Sequence, residues 1–141
     1  HDATSPLALI ITGVNESILY MTDTGYVSQK NRKYLNNLDY YIIESNHDVE
    51  MLMATKRPYF LKQRIHGDLG HLNNEYSAKM MVELIGDKTK EIVLAHLSEE
   101  ANTKEKALET YRKIFNQNNL EFDNIKVASQ IDVVSGGNYE D

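Results

Sequence analysis

Apolar residues in this chain come in short blocks, each closed by polar or turn-forming residues. Leu7 to Thr12 and Ser17 to Thr22 are two such runs, joined by "GVNE" around Gly13, a hairpin signal. "DYYIIES" (Asp39 to Ser45) is β-branched and aromatic and predicts a third strand. "EIVLAHL" (Glu91 to Leu97) predicts a fourth, and "IKVASQ" (Ile125 to Gln130) a last one. Ser28 to Asn37 predicts a short polar helix after the turn at Gly25. Val49 to Ala54 and Tyr59 to Ile65 predict two short helices parted by Arg57 and Pro58. Asn73 caps a helix running to Ile85, with Ala78, Met81, Val82 and Ile85 at helical spacing. Thr103 caps a second long helix, with Ala107, Tyr111, Ile114 and Phe115 on one face. The final "SGGNYED" predicts a frayed end. This alternation of strands and helices predicts an α/β (α+β) domain, a mixed sheet with flanking helices. There is no internal repeat and no low-complexity linker.

Composition narrows the picture. The 141 residues suffice for one domain around one core. No apolar run approaches the roughly 20 residues of a membrane span, and no signal-peptide pattern is present. The expectation is a protein without membrane contact. The absence of cysteine excludes disulfides and thiolate metal sites and fits a cytoplasmic location. A net charge of −6 argues against coating nucleic acid by bulk charge. It leaves room for a nuclease that reaches phosphate through local metal ions. The first residue is His1 rather than Met, so the chain reads as a piece of a larger fold.

Polar residues gather where the predicted strands stop. "TDTG" puts Asp23 at the lip of the second strand, and "ESNHD" puts Glu44 and His47 at the end of the third. "GDLGHLNN" sets His71 just before a capped helix, and the fourth strand ends at His96. His1 and Asp2 precede the first strand. Ligands collect outside strand ends in sheet domains, so three imidazoles and a carboxylate from separate loops can converge there. Imidazole and carboxylate suit Zn²⁺ or Mn²⁺. The bland readings stand beside this one. A single histidine after a strand is more often a hydrogen-bonded surface residue, and Asp before Thr-Gly is a common turn residue. Asn73 and Glu75 are ordinary helix starters. His66 reads as surface. Lys56, Arg57, Lys62 and Arg64 read as a solvated helix face in preference to a phosphate-backbone patch.

Five stretches, taken together, resemble one family. They are "HDA" (His1 to Ala3), "TDTGYVS" (Thr22 to Ser28), "ESNHD" (Glu44 to Asp48), "DLGHLNNEYSA" (Asp68 to Ala78) and "LAHLSEEAN" (Leu94 to Asn102). In order and separation they resemble the second half of a metallo-β-lactamase-fold hydrolase of the YycJ/WalJ type, a relative of ribonuclease Z. The resemblance implies half of a four-layer αββα sandwich over residues 1–141. It implies that His1, Asp23 and His96 are metal ligands, with Asp23 bridging two divalent ions, zinc or manganese. It implies that His71 acts on the scissile phosphate and that Glu44 orients it. The family's first motif, His-x-His-x-Asp-His, occurs nowhere in the sequence. The expectation is therefore a C-terminal half, inactive alone, of a metal-dependent phosphodiesterase or exonuclease acting on nucleic acid, most plainly DNA. An upstream half or a second copy would cover the apolar sheet face. The alternatives are a hydrolase of small esters or thioesters on the same fold, and a non-catalytic binding or regulatory module.

Overall fold

The computed structural model describes residues 8–67 and 70–137. Five strands form one sheet: β1 (Ala8–Thr12), β2 (Ser17–Met21), β3 (Tyr40–Glu44), β4 (Glu91–Ala95) and β5 (Ile125–Val127), in the order β1-β2-β3-β4-β5. The first pair is an antiparallel hairpin, with Ala8 opposite Met21 and Thr12 opposite Ser17. The other three pairings are parallel. The helices between them are α1 (Gln29–Arg32), α2 (Val49–Ala54), α3 (Tyr59–His66), α4 (Asn74–Leu84) and α5 (Lys104–Gln117). Each predicted element is present. The helix expected over Ser28 to Asn37 is shorter than that span, and the last strand stops at Val127. The end of the chain expected to fray lies partly outside the described residues, from residue 138 onward.

Local chemistry sets the boundaries. Ser28, Asp48, Asn73 and Thr103 each cap a helix by accepting a backbone N–H three residues on. Asp39 accepts the Ser17 N–H and hydroxyl at 2.9 and 3.2 Å, fixing the start of β2 against that of β3.

Strands β2 to β5 advance in one direction across the sheet. Right-handed crossovers then put every connecting helix on the same face. The core lies on that face: Leu19, Met21, Tyr41, Ile43, Ile92 and Leu94 meet Ala78, Met81 and Leu84 of α4 and Ala107, Tyr111 and Phe115 of α5. The buried Tyr111 hydroxyl is satisfied by Ser77 Oγ at 2.6 Å. Because strand side chains alternate, the pairing registers assign Leu9, Tyr20, Ile42 and Val93 to one row on the opposite face, with Ile11 and Ile18 beside them. Leu9 and Ile11 are 55% exposed and Tyr20 45%. Among the described residues, no helix is long and apolar enough to cross a membrane.

A contiguous apolar row across four strands is unusual on a free surface. The 141-residue chain by itself is expected to self-associate and to bind a hydrophobic dye. Light scattering of Leu9→Lys/Tyr20→Lys should return a monomer with unchanged helical circular dichroism. A monomeric parent that binds no dye would contradict this.

Candidate active site

The parallel strands β2, β3 and β4 end at one edge of the sheet, and each delivers polar groups there. Glu44 is the last residue of β3 and is fully buried. Its Oε1 accepts from Nδ1 of His71 at 2.7 Å and from Nδ1 of His96 at 2.6 Å. Its Oε2 accepts the backbone N–H of Thr24 at 3.3 Å and of Leu72 at 3.1 Å. One carboxylate thus ties together the loop after β2, the loop before α4 and the loop after β4. Burial pushes the Glu44 carboxyl up, but the hydrogen bonds from His71 and His96 outweigh it and hold the group below its ordinary value. The same bond to Glu44 raises the His96 imidazole above its ordinary value, with burial opposing. An ionised carboxylate only accepts, so both Nδ1 atoms carry hydrogen and both Nε2 atoms are left for other work.

Asp23 completes the cluster. Its Oδ1 lies 3.3 Å from His96 Nδ1 and 3.7 Å from His71 Nδ1. The two imidazole rings stand edge to face with centroids 5.1 Å apart. Asp23, Glu44, His71 and His96 each offer a ligand atom within 4.8 Å of the others. With both Glu44 oxygens taken up by N–H donors, the Asp23 carboxylate and the imidazoles are the groups left to hold a divalent transition-metal cation, a donor set that suits one.

Two of these residues hold unusual backbone. Asp23 (φ 59°) and His96 (φ 58°) are both left-handed. That region costs most residues about 1 kcal/mol or more, although Asp and His visit it more readily than most. Neighbours impose it at His96: Asn46 Nδ2 donates to the His96 carbonyl at 2.8 Å, and the Ser98 N–H donates to the Asn46 carbonyl at 2.7 Å. Asn46 belongs to a buried amide lattice. Asn102 Nδ2 donates to the carbonyls of Ser45 and Asn46, and the side chains of Asn74 and Asn102 bond each other reciprocally at 2.9 Å. Ser45 Oγ donates to Asn74 Oδ1 at 2.6 Å. Gly70 lets the His71 loop close down, because a Cβ there would clash with the carbonyl oxygens of Arg64 and Ile65. The His71 N–H is then bonded to Ile65 O at 2.9 Å.

The predicted residues divide three ways. Asp23, Glu44, His71 and His96 come together. His1 lies outside the described residues. His47 turns inward instead: it is fully buried, with Nε2 3.3 Å from His66 Nδ1 and Nδ1 3.2 Å from Asn46 Oδ1. His66 is exposed as expected, but it has His47 for a partner. The lattice of Asn46, Asn74 and Asn102 was missed; its sequence signal was polar side chains directly after strands and before helix caps. A groove of about 330 Å³ opens beside the cluster, lined by His71, His96, Asn46, Arg57, Ser98 and Gln130 among others.

No family model matches the sequence. Over 107 residues the chain is 47% identical to exodeoxyribonuclease WalJ of Streptococcus pneumoniae and 43% identical to exodeoxyribonuclease YycJ of Bacillus anthracis. By sequence, the chain is a relative of the WalJ/YycJ proteins. Each match covers 76% of this chain and 40% of the curated relative, so the chain spans well under half the length of either. Among solved structures, the metallo-beta-lactamase fold protein YhfI from Bacillus subtilis superposes with a TM-score of 0.57 at 17% identity, over 86% of this chain and 40% of that one. The sheet and its helices are thus part of a metallo-β-lactamase fold.

Two outcomes follow from the cluster and its surroundings. Glu44→Gln removes the charge and replaces one accepting oxygen by a donor, so either both imidazoles must give up their Nδ1 hydrogen or both backbone amides lose their partner. At about 1–3 kcal/mol for each buried unsatisfied group, urea denaturation should show a loss of a few kcal/mol. A change below about 0.5 kcal/mol, the range of ordinary surface substitutions, would refute the central place given to Glu44. Burial, with the nearby His66 and His71, pushes His47 down to about 4. The unfolded chain binds that proton near 6.5, so between the two values it holds more protons than the native state. Stability is therefore fully present above about pH 6.5 and is lost as pH falls toward 4, by up to about 3 kcal/mol. His47→Gln should flatten that window in the metal-free protein. An unchanged slope would show that His47 does not report it.

Proposed function

We propose that this chain carries part of the active site of a metal-dependent nuclease that hydrolyses phosphodiester bonds in DNA. The observation that carries the reading is the convergence of Asp23, Glu44, His71 and His96 within 4.8 Å at the strand ends. The relatives named exodeoxyribonuclease support its direction. Asp23 and His96 would hold the divalent ions, and on the strength of the sequence resemblance His1 would be a further ligand. When bound, divalent zinc or manganese supplies positive charge for the phosphate and a nucleophile drawn from water at neutral pH. Glu44 fixes both rings through Nδ1. His71 Nε2 is then the atom positioned to give a proton to the leaving oxygen, and the Glu44 carboxylate stabilises the imidazolium that does so. The remaining ligands come from residues outside this chain, which alone would be inactive. A cytoplasmic location suits a chain without cysteine.

The division of roles is testable in the whole protein. Asp23→Ala should lose bound metal and activity together. His71→Ala should keep its metal and slow by about 10²–10⁴-fold, the worth of a positioned proton donor. Metal analysis alongside a nuclease assay on linear DNA separates them. A His71→Ala protein emptied of metal would make His71 a ligand. Parental cutting by both variants would sink the nuclease reading and favour a binding module.

A further inference from the structure

Residues 56–64, "KRPYFLKQR", include four basic residues, two aromatic rings and no acid, in a chain of net charge −6. Tyr59 and Phe60 open α3 and are 68% and 71% exposed. Core packing does not explain them, since α3 has no buried residue. The segment is also fastened to the proposed active site. Arg57 and Ile65 line the same groove as His71 and His96. Ile65 O accepts the His71 N–H at 2.9 Å, and Arg57 Nε bonds Glu100 Oε2 at 3.0 Å, tying the hairpin to the loop after β4. Ile65 lies five positions beyond Phe60, about 7.5 Å along a helix, or about two nucleotides of a strand.

We propose that the α2–α3 hairpin grips a single DNA strand as it leaves the active-site groove, with bases stacked on Tyr59 and Phe60 and phosphates against Lys56, Lys62 and Arg64. The inference rests on the nuclease reading above and adds the strand state of the substrate. Exposed rings offer a stacking face to any unpaired base, whereas the bases of an intact duplex already stack on each other. Cationic side chains around them favour a polyanion over another polypeptide segment. Lys62 Nζ donates to the Met53 carbonyl at 2.6 Å, and an ammonium with three donors still has two to offer phosphate. Glu99 and Glu100 also line the groove, so the favourable field is local to the hairpin.

The test uses the whole protein and a phosphorothioate single-stranded oligonucleotide, with its blunt duplex for comparison, followed by fluorescence anisotropy over a salt series. Tyr59→Ala/Phe60→Ala should weaken single-strand binding by about 10–100-fold and change duplex binding far less. Lys56→Gln/Arg64→Gln should flatten the dependence of log affinity on log salt by roughly 0.7 for each phosphate that is no longer neutralised. Phe60→Trp should bind at least as tightly as the parent. Single-strand affinity unchanged in the alanine pair overturns the proposal. So does an unchanged salt slope in the charge pair, which keeps the test decisive where the alanine pair unfolds. A parent that prefers anionic phospholipid vesicles to the oligonucleotide overturns it as well. The cleavage assay distinguishes the two readings. A parent that cuts DNA with variants that bind it unchanged refutes the grip alone. A parent that holds single strands through these residues but cuts nothing refutes the nuclease alone.

Discussion

A single buried carboxylate organises the functional edge of this domain. Glu44 accepts four donors from three loops, which fixes all three against the end of β3. Its ionised form is what this surrounding selects. Burial disfavours the charge, yet the N–H groups of His71, His96 and Leu72 favour it more. The consequence reaches outward. Rings held by Nδ1 cannot turn over without breaking a buried charge-assisted bond, so both imidazoles present a fixed face to the groove.

Positioning of this kind needs a rigid base, and the amide lattice supplies it. Asn46, Asn74 and Asn102 sit beneath the His96 loop and join the ends of β3 and β4 to the starts of α4 and α5. Fully satisfied buried networks specify one arrangement, because any slip leaves several polar groups unpaired at once. That is how left-handed His96 persists at the edge. Backbone strain of this sort clusters where function fixes a side chain against local preference.

Much of this was legible in the chain. Strand and helix positions followed from apolar period and from caps at Asn73 and Thr103, because those features act over a few residues. The edge location of Asp23, Glu44 and His96 followed from their places at strand ends, and that of His71 from its place just before a capped helix. Which polar residues turn toward the groove did not. His47 follows Glu44 by three residues and looked its equal, yet its ring is drawn into the interior beside His66 and Asn46. That choice depends on contacts between residues far apart in the chain. The reciprocal Asn74–Asn102 pair spans 28 residues, and sequence spacing holds no trace of it.

The one-way advance of β2 to β5 explains why two unlike features occur together. It places every crossover helix on one face and so leaves Leu9, Tyr20, Ile42 and Val93 facing away from the core. It also brings the C-terminal ends of three parallel strands side by side, where their loops can pool carboxylates and imidazoles. In the proposed nuclease these features call for the same remedy. A second sheet laid on the apolar row would bury it at the roughly 10 Å spacing of packed sheets. The strand ends of that sheet would then lie beside Asp23 and His96, close enough to supply ligands that these two alone do not. Coupling the two has a physical benefit. The hydrophobic contact would set the distance between half-sites, so the geometry of the metal centre would be fixed by packing over a wide face and not by the few polar contacts at its edge.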